Sequence, residues 1–125
     1  MRDQFNFSGD FRGAVVNVQS RLDQASQCAN SLPGDADGRE QLTALLDFFG
    51  RELARLPEPE QAVATQIATR TEELVAAAAD PKPDRSRLRL LGEAVVGGVK
   101  LLGNAGPGIA ETAEKIVALV SRLVG

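Results

Sequence analysis

The chain has 125 residues and a formal net charge of −3, and this length fits one compact domain rather than two. It contains no histidine, which removes the commonest general base and the commonest metal ligand of proteins. A single cysteine, Cys28, excludes an intramolecular disulfide and a thiolate metal site. Because the chain has no strong positive field and no tyrosine or tryptophan, we do not expect it to bind nucleic acid.

The N-terminal residues 1–13 are predicted to form a short extended or hairpin segment. In the run FNFSGDFRGAVVNVQS, residues 5–20, phenylalanines alternate with polar residues around a Ser-Gly-Asp turn sequence. The glycine spacing does not fit a phosphate-binding loop, and no Lys-Ser or Lys-Thr pair follows. The functional alternative is a specific polar contact beside an exposed aromatic edge. Its candidate residues are Phe7, Asp10, Phe11 and Arg12.

Clusters of proline with glycine, aspartate or asparagine divide the rest of the chain into segments of helical length. Within each segment, apolar residues recur at three- and four-residue steps, which places them on one helix face. The predicted helices cover residues 14–32, 39–56, 59–79, 86–102 and 107–124. We therefore predict an all-α fold, a five-helix bundle that forms a single domain over 1–125.

The fourth predicted helix carries two apolar stripes on nearly opposite sides. The expected core stripe consists of Leu88, Leu91, Val95, Val99 and Leu102, and the second stripe consists of Leu90, Ala94, Gly97 and Leu101. A helix that is apolar nearly all round must be buried on both sides, so we expect this helix to be the most buried element. Two interpretations of the second stripe stay open: it packs inside a larger core, or it forms an interface.

No residue pattern indicates catalysis. Glu72 and Glu73 point about 100° apart on a helix, so they do not share a site. Glu111 and Glu114 share a helix face beside a lysine, which is typical of a solvated surface. Cys28 lacks the histidine that usually activates such a nucleophile. We therefore expect no enzymatic activity, no catalytic residue, no cofactor and no bound metal.

The N-terminal run also carries a resemblance. Residues 7–20 follow the pattern F-x-G-D-F-R-G-A-x-V-N-x-x-S, and the chain ends in the apolar run IVALVSRLVG. With helices between these two runs, the chain resembles a family of small, largely uncharacterised bacterial proteins that are effector-associated modules of conflict and defence systems. The resemblance spans nearly the whole chain, although the distinctive part is the first twenty residues. It implies an adaptor-like interaction or assembly module and no catalytic residues.

The main functional prediction is a non-catalytic interaction module that forms homo-oligomers, with an effector protein as a further partner. Residues 1–80 carry 7 basic and 13 acidic side chains, and residues 81–125 carry 7 basic and 4 acidic ones, so opposite charges help to orient copies. Phe48 lies about 120° from the centre of its helix's core stripe and should project outward. The main interface candidates are Phe48, Leu90, Ala94, Gly97 and Leu101.

The alternative function is a membrane-active effector whose apolar C-terminal helices, residues 88–124, insert into a bilayer after a conformational change. Charged residues interrupt every apolar run in this segment, so no resting transmembrane helix is expected. The N-terminus shows no basic region followed by an apolar run, which would indicate a signal peptide. A cytoplasmic location is therefore expected.

Overall fold

The computed structural model describes the backbone of residues 6–103 and 107–124, and the side chains of residues 18–103 and 108–124. These residues form five α-helices and no strand, which confirms the predicted all-α fold. The helices are α1 (Asn6–Ala29), α2 (Ala36–Ala54), α3 (Gln61–Ala78), α4 (Arg85–Lys100) and α5 (Pro107–Val124). A short 3-10 helix, Glu58–Glu60, precedes α3. The bounds of the last four helices lie within three residues of the predicted ones.

The start of the first helix differs from the prediction. Helix α1 is assigned as Asn6–Ala29, whereas the sequence predicted a helix start near residue 14, and the extended or hairpin segment predicted for 1–13 stays a prediction. Residues 1–5 lie outside the described part of the chain.

The helices are arranged as a ring around one core. Helix α1 packs against α2 and α3, α4 packs between α3 and α5, and α5 returns to α2. This order brings helices that are distant in sequence, α2 and α5, into direct contact. The largest fully buried side chains of the core are Phe49, Leu42, Leu46, Leu53, Ile67, Leu74, Ile116, Val18, Val75, Val95, Val99 and Val120.

Helix α4 is not the most buried element, contrary to the prediction. Its principal neighbours are α3 and α5, whereas α3 also contacts α1, α2 and α5. One side of α4 is core: Val95 and Val99 are fully buried and Leu102 is 6% exposed, as predicted. The opposite side faces solvent, because a helix in a ring has neighbours on its inner side alone. Leu91, predicted in the core stripe, is only partly buried.

Polar contacts fix the connections at both ends of α2. The Nε2 atom of the buried Gln61 donates to the carbonyl oxygen of Leu56 at 2.6 Å, which satisfies an acceptor just after the helix end. At the other end, Arg39 donates to the carbonyl oxygen of Gly34 at 2.6 Å. Gly34 adopts φ +99°, and a Cβ there would meet Leu123 of α5 at 2.6 Å. The α1–α2 connection is therefore held against the end of α5.

Candidate functional site

The outer side of α4 exposes a continuous apolar stripe, named here the α4 ridge and formed by Leu90, Ala94, Gly97 and Leu101. All four residues are exposed, with Leu90 at 64% and Leu101 at 73%. Leu90 and Leu101 point within about 20° of each other and lie about 16 Å apart along the helix axis. Large exposed apolar side chains on one face are typical of an interaction surface. The α4 ridge is one candidate site.

The glycines of α4 have different surroundings. A Cβ at Gly92 would lie 2.9 Å from a methyl group of Val117 in α5, and one at Gly98 would lie 3.0 Å from Ile67 in α3. Both glycines therefore allow α4 to pack closely inside the bundle. A Cβ at Gly97 would have no atom within 4 Å beyond its chain neighbours and the nearby backbone of its own helix. The bundle gives no packing reason for glycine at this exposed ridge position.

This contrast predicts opposite stability effects for two alanine substitutions. Gly97→Ala should raise the free energy of unfolding by about 0.5–1 kcal/mol, because alanine loses less backbone entropy in a helix. Gly92→Ala should lower it, since the added methyl group meets a short, branched valine that cannot rotate away. Urea unfolding of the two variants at one dilute protein concentration measures both effects. Equal shifts of the two midpoints would contradict the packing described for α4.

A second candidate site is the groove between α2 and α5, named here the α2/α5 groove. It encloses about 640 Å³ and is lined by Gln41, Ala44, Leu45, Phe48, Lys115, Ala118, Leu119 and Arg122. Phe48 is 53% exposed, whereas its neighbour Phe49 is fully buried. The prediction that Phe48 projects outward is therefore confirmed. The two charged residues in the lining, Lys115 and Arg122, are both basic.

The structure separates Phe48 from the α4 ridge. Phe48 lies in a groove made by α2 and α5, whereas the ridge lies on α4, where Ala94 and Leu101 border a cleft with Val63 of α3. These sequence-predicted residues therefore define two surfaces rather than one. The candidate contact residues Phe7, Asp10, Phe11 and Arg12 lie outside the side chains that the structure describes.

Sequence reasoning missed most of the α2/α5 groove. On α2, the pattern around Phe48 was visible, because Ala44 and Leu45 precede it by four and three residues on the same face. On α5, Lys115, Ala118 and Arg122 follow one stripe at steps of three and four residues. Nothing in the sequence pairs these two stripes, because that pairing depends on the order of helices around the ring.

Two other features of the described chain, an ion pair and the cysteine, belong to the packing of the bundle. Arg21 of α1 and Glu72 of α3 form an ion pair at 2.9 Å that links these two helices. Cys28 is partly buried against the core at the end of α1. Within residues 6–103 and 107–124, no group of three or more cysteine, aspartate or glutamate residues has the arrangement of a metal site.

Comparisons of the chain with protein-family models, with curated proteins and with solved structures found no match. None of the helices in the described residues combines the length and the apolar character needed to cross a membrane. The membrane-active alternative stays a prediction, and leakage of dye from vesicles checks it.

Proposed function

We propose that this protein is a non-catalytic helical interaction module that assembles into homo-oligomers through the α4 ridge. The single observation that supports this proposal most strongly is the exposure of the ridge's two leucines on a helix whose opposite side is core. Leaving such side chains in water forgoes roughly 1.5–3 kcal/mol of burial free energy for each of them. A second copy packed on this face would recover part of it.

Gly97 favours a helix-to-helix contact at the ridge. It lies between Ala94 and Leu101, and a Cβ there would meet nothing in its own bundle. Small residues at the centre of a contact allow two helices to approach within about 8 Å of each other. Glycine at this exposed position therefore has a packing purpose if a second helix crosses α4 there.

The uneven distribution of charge along the chain favours certain relative orientations of two associating copies. The chain is acidic over residues 1–80 and basic over residues 81–125, and α4 lies in the basic part. Around the ridge, the exposed charged residues of α4 include Arg89, Glu93 and Lys100. Electrostatic complementarity of this kind raises association rates and suppresses wrong orientations more than it adds affinity. We therefore expect self-association to weaken as salt screens these charges.

The resemblance of the N-terminal run to effector-associated modules suggests the setting of this assembly. We propose that the protein acts as an adaptor in a bacterial defence or signalling system, where assembly of copies brings an effector protein together. This part of the proposal is supported by the motif of residues 7–20 and by the helical fold that follows it.

A substitution that places a charge on the ridge tests the proposal. Leu101→Lys should reduce the assembly state, because a buried contact does not tolerate an unpaired ammonium group. The fold should persist, since Leu101 is 73% exposed and a cation suits the C-terminal end of a helix. The matched control is Gln24→Lys, which adds the same charge at an exposed position of α1.

Size-exclusion chromatography with light scattering gives the assembly state, and circular dichroism gives the helix content. We expect the wild type and Gln24→Lys to share one larger molar mass, and Leu101→Lys to fall to a smaller one at unchanged helicity. A Leu101→Lys variant with the wild-type molar mass would exclude the ridge as the interface.

A further inference from the structure

We propose that the α2/α5 groove binds an acidic amphipathic helix of a partner protein. The proposal rests on the proposed function in one respect, that the chain is an interaction module. It uses a surface that shares no residue with the α4 ridge, so the two proposals can fail independently.

The groove has the dimensions of a helix-binding site. Helices α2 and α5 are antiparallel, because Gly38 near the start of α2 lies beside Leu123, and Glu52 near its end lies beside Gly108. The lining residues span two turns of each helix, about 10 Å in length. Two turns of a bound amphipathic helix present anchors at i, i+3 or i+4, and i+7. The length of the groove therefore matches two turns of a bound helix.

The apolar surface of the groove surrounds one exposed aromatic ring. Ala44 and Ala118 are exposed on opposite sides of the groove, and their short side chains leave the space between the helices open. Leu119 is buried beneath them, and Phe48 remains 53% exposed. Aromatic residues, phenylalanine included, are enriched in the cores of protein interfaces. Phe48 is therefore the expected anchor.

The charges of the groove identify the chemistry of the occupant. Lys115 and Arg122 are exposed on one stripe of α5, seven residues and about 10 Å apart. No acidic residue belongs to the lining, and Glu52 faces the start of α5. Two acidic residues border the groove: Asp35 lies near the guanidinium of Arg122, and Glu111 is exposed one turn before Lys115. A helix with apolar anchors and glutamates spaced about two turns apart would meet both cations. A basic helix would meet like charges, which is unfavourable.

Two synthetic peptides test this assignment. Both are amphipathic 18-residue helices with leucines at i, i+4 and i+7; one carries glutamates beside the leucines, and the other carries lysines at the same positions. Fluorescence anisotropy measures their binding to wild type and to Leu101→Lys, in which the ridge is disabled. We expect the glutamate peptide to bind at least about tenfold more tightly to both proteins, with affinity that falls as salt rises.

Two substitutions in the groove locate the binding. Phe48→Ser should lower the affinity for the glutamate peptide at least about tenfold, because it removes the anchor. Lys115→Glu should reduce the preference for the glutamate peptide over the lysine peptide. Gln24→Lys is the matched control and should bind like the wild type. All variants should keep the helicity of the wild type, because the changed positions are exposed.

The proposal is overturned by any of five results. In the first, the two peptides bind equally; in the second, neither peptide binds. In the third, the glutamate peptide binds Phe48→Ser and Lys115→Glu as tightly as it binds the wild type. In the fourth, Phe48→Ser abolishes self-association of the full chain, which would make a second copy the occupant. In the fifth, phosphatidylserine vesicles bind in preference to the glutamate peptide, which would make a membrane surface the occupant. None of these results depends on whether light scattering finds a smaller molar mass for Leu101→Lys than for the wild type.

Discussion

Replacing Phe49 with alanine should lower the free energy of unfolding by about 3–5 kcal/mol, the range for a fully buried aromatic ring. Phe49 is 0% exposed and belongs to the core that the five helices share. Its removal takes apolar contacts away and leaves a cavity that the surrounding helices only partly fill. Domains of this size have stabilities of about 5–15 kcal/mol, so this loss is a large fraction of the total stability.

The adjacent residue gives a matched control for this prediction. Phe48→Ala removes the same number of atoms from a side chain that is 53% exposed, and should change the free energy of unfolding by less than about 1 kcal/mol. Denaturant unfolding followed by circular dichroism measures both variants. Similar losses for Phe48→Ala and Phe49→Ala would contradict the orientation of α2, and with it the α2/α5 groove.

The second large effect is expected at the end of α4. Leu102→Ala should cost about 2–5 kcal/mol of unfolding free energy, because Leu102 is 6% exposed and packs in the core. Leu101→Ala, one residue earlier, should cost less than about 1 kcal/mol, since its side chain is 73% exposed. Leu91→Ala should fall between these two, because Leu91 is partly buried.

The three variants are compared by urea unfolding at one low protein concentration, because self-association would otherwise add to the measured stability. The ratio of the stability losses in Leu102→Ala and Leu101→Ala shows which side of α4 is packed in the core. If Leu101→Ala proved as costly as Leu102→Ala in the dissociated protein, the ridge would belong to the core and not to an interface.

The sequence predicts the inner side of each helix well, for a physical reason. In α2, Leu42, Leu46, Phe49 and Leu53 recur at three- and four-residue steps, and all four are fully buried. A helix rotates about 100° per residue, so these steps keep one face apolar and let it enter the core. The same periodicity in α4 correctly identified Val95 and Val99 as buried.

The burial of whole helices could not be predicted in this way. The apolar content of α4 suggested neighbours on both sides, yet its place in the ring gives it α3 and α5 on its inner side. How many neighbours a helix has depends on topology, which the pattern within one helix does not contain. Only in the structure does the second stripe become an exposed surface.

The α2/α5 groove illustrates the same limit at the level of a site. Phe48 and Lys115 lie far apart in the sequence and belong to one lining because α5 returns to α2. The sequence identified Phe48 as exposed, and the cations of α5 were visible as single residues. Their combination into a basic, apolar-floored groove required the order of the helices.

Light scattering of the wild-type protein over a wide concentration range tests the central claim, self-association of an interaction module, most directly. The chain mass is 13.2 kDa, and we expect the measured molar mass to rise with concentration toward a multiple of this value. The rise should be larger at low salt than at moderate salt, because opposite charges help to orient the copies. A molar mass that stays at 13.2 kDa at high concentration, in low and in moderate salt, would contradict self-association.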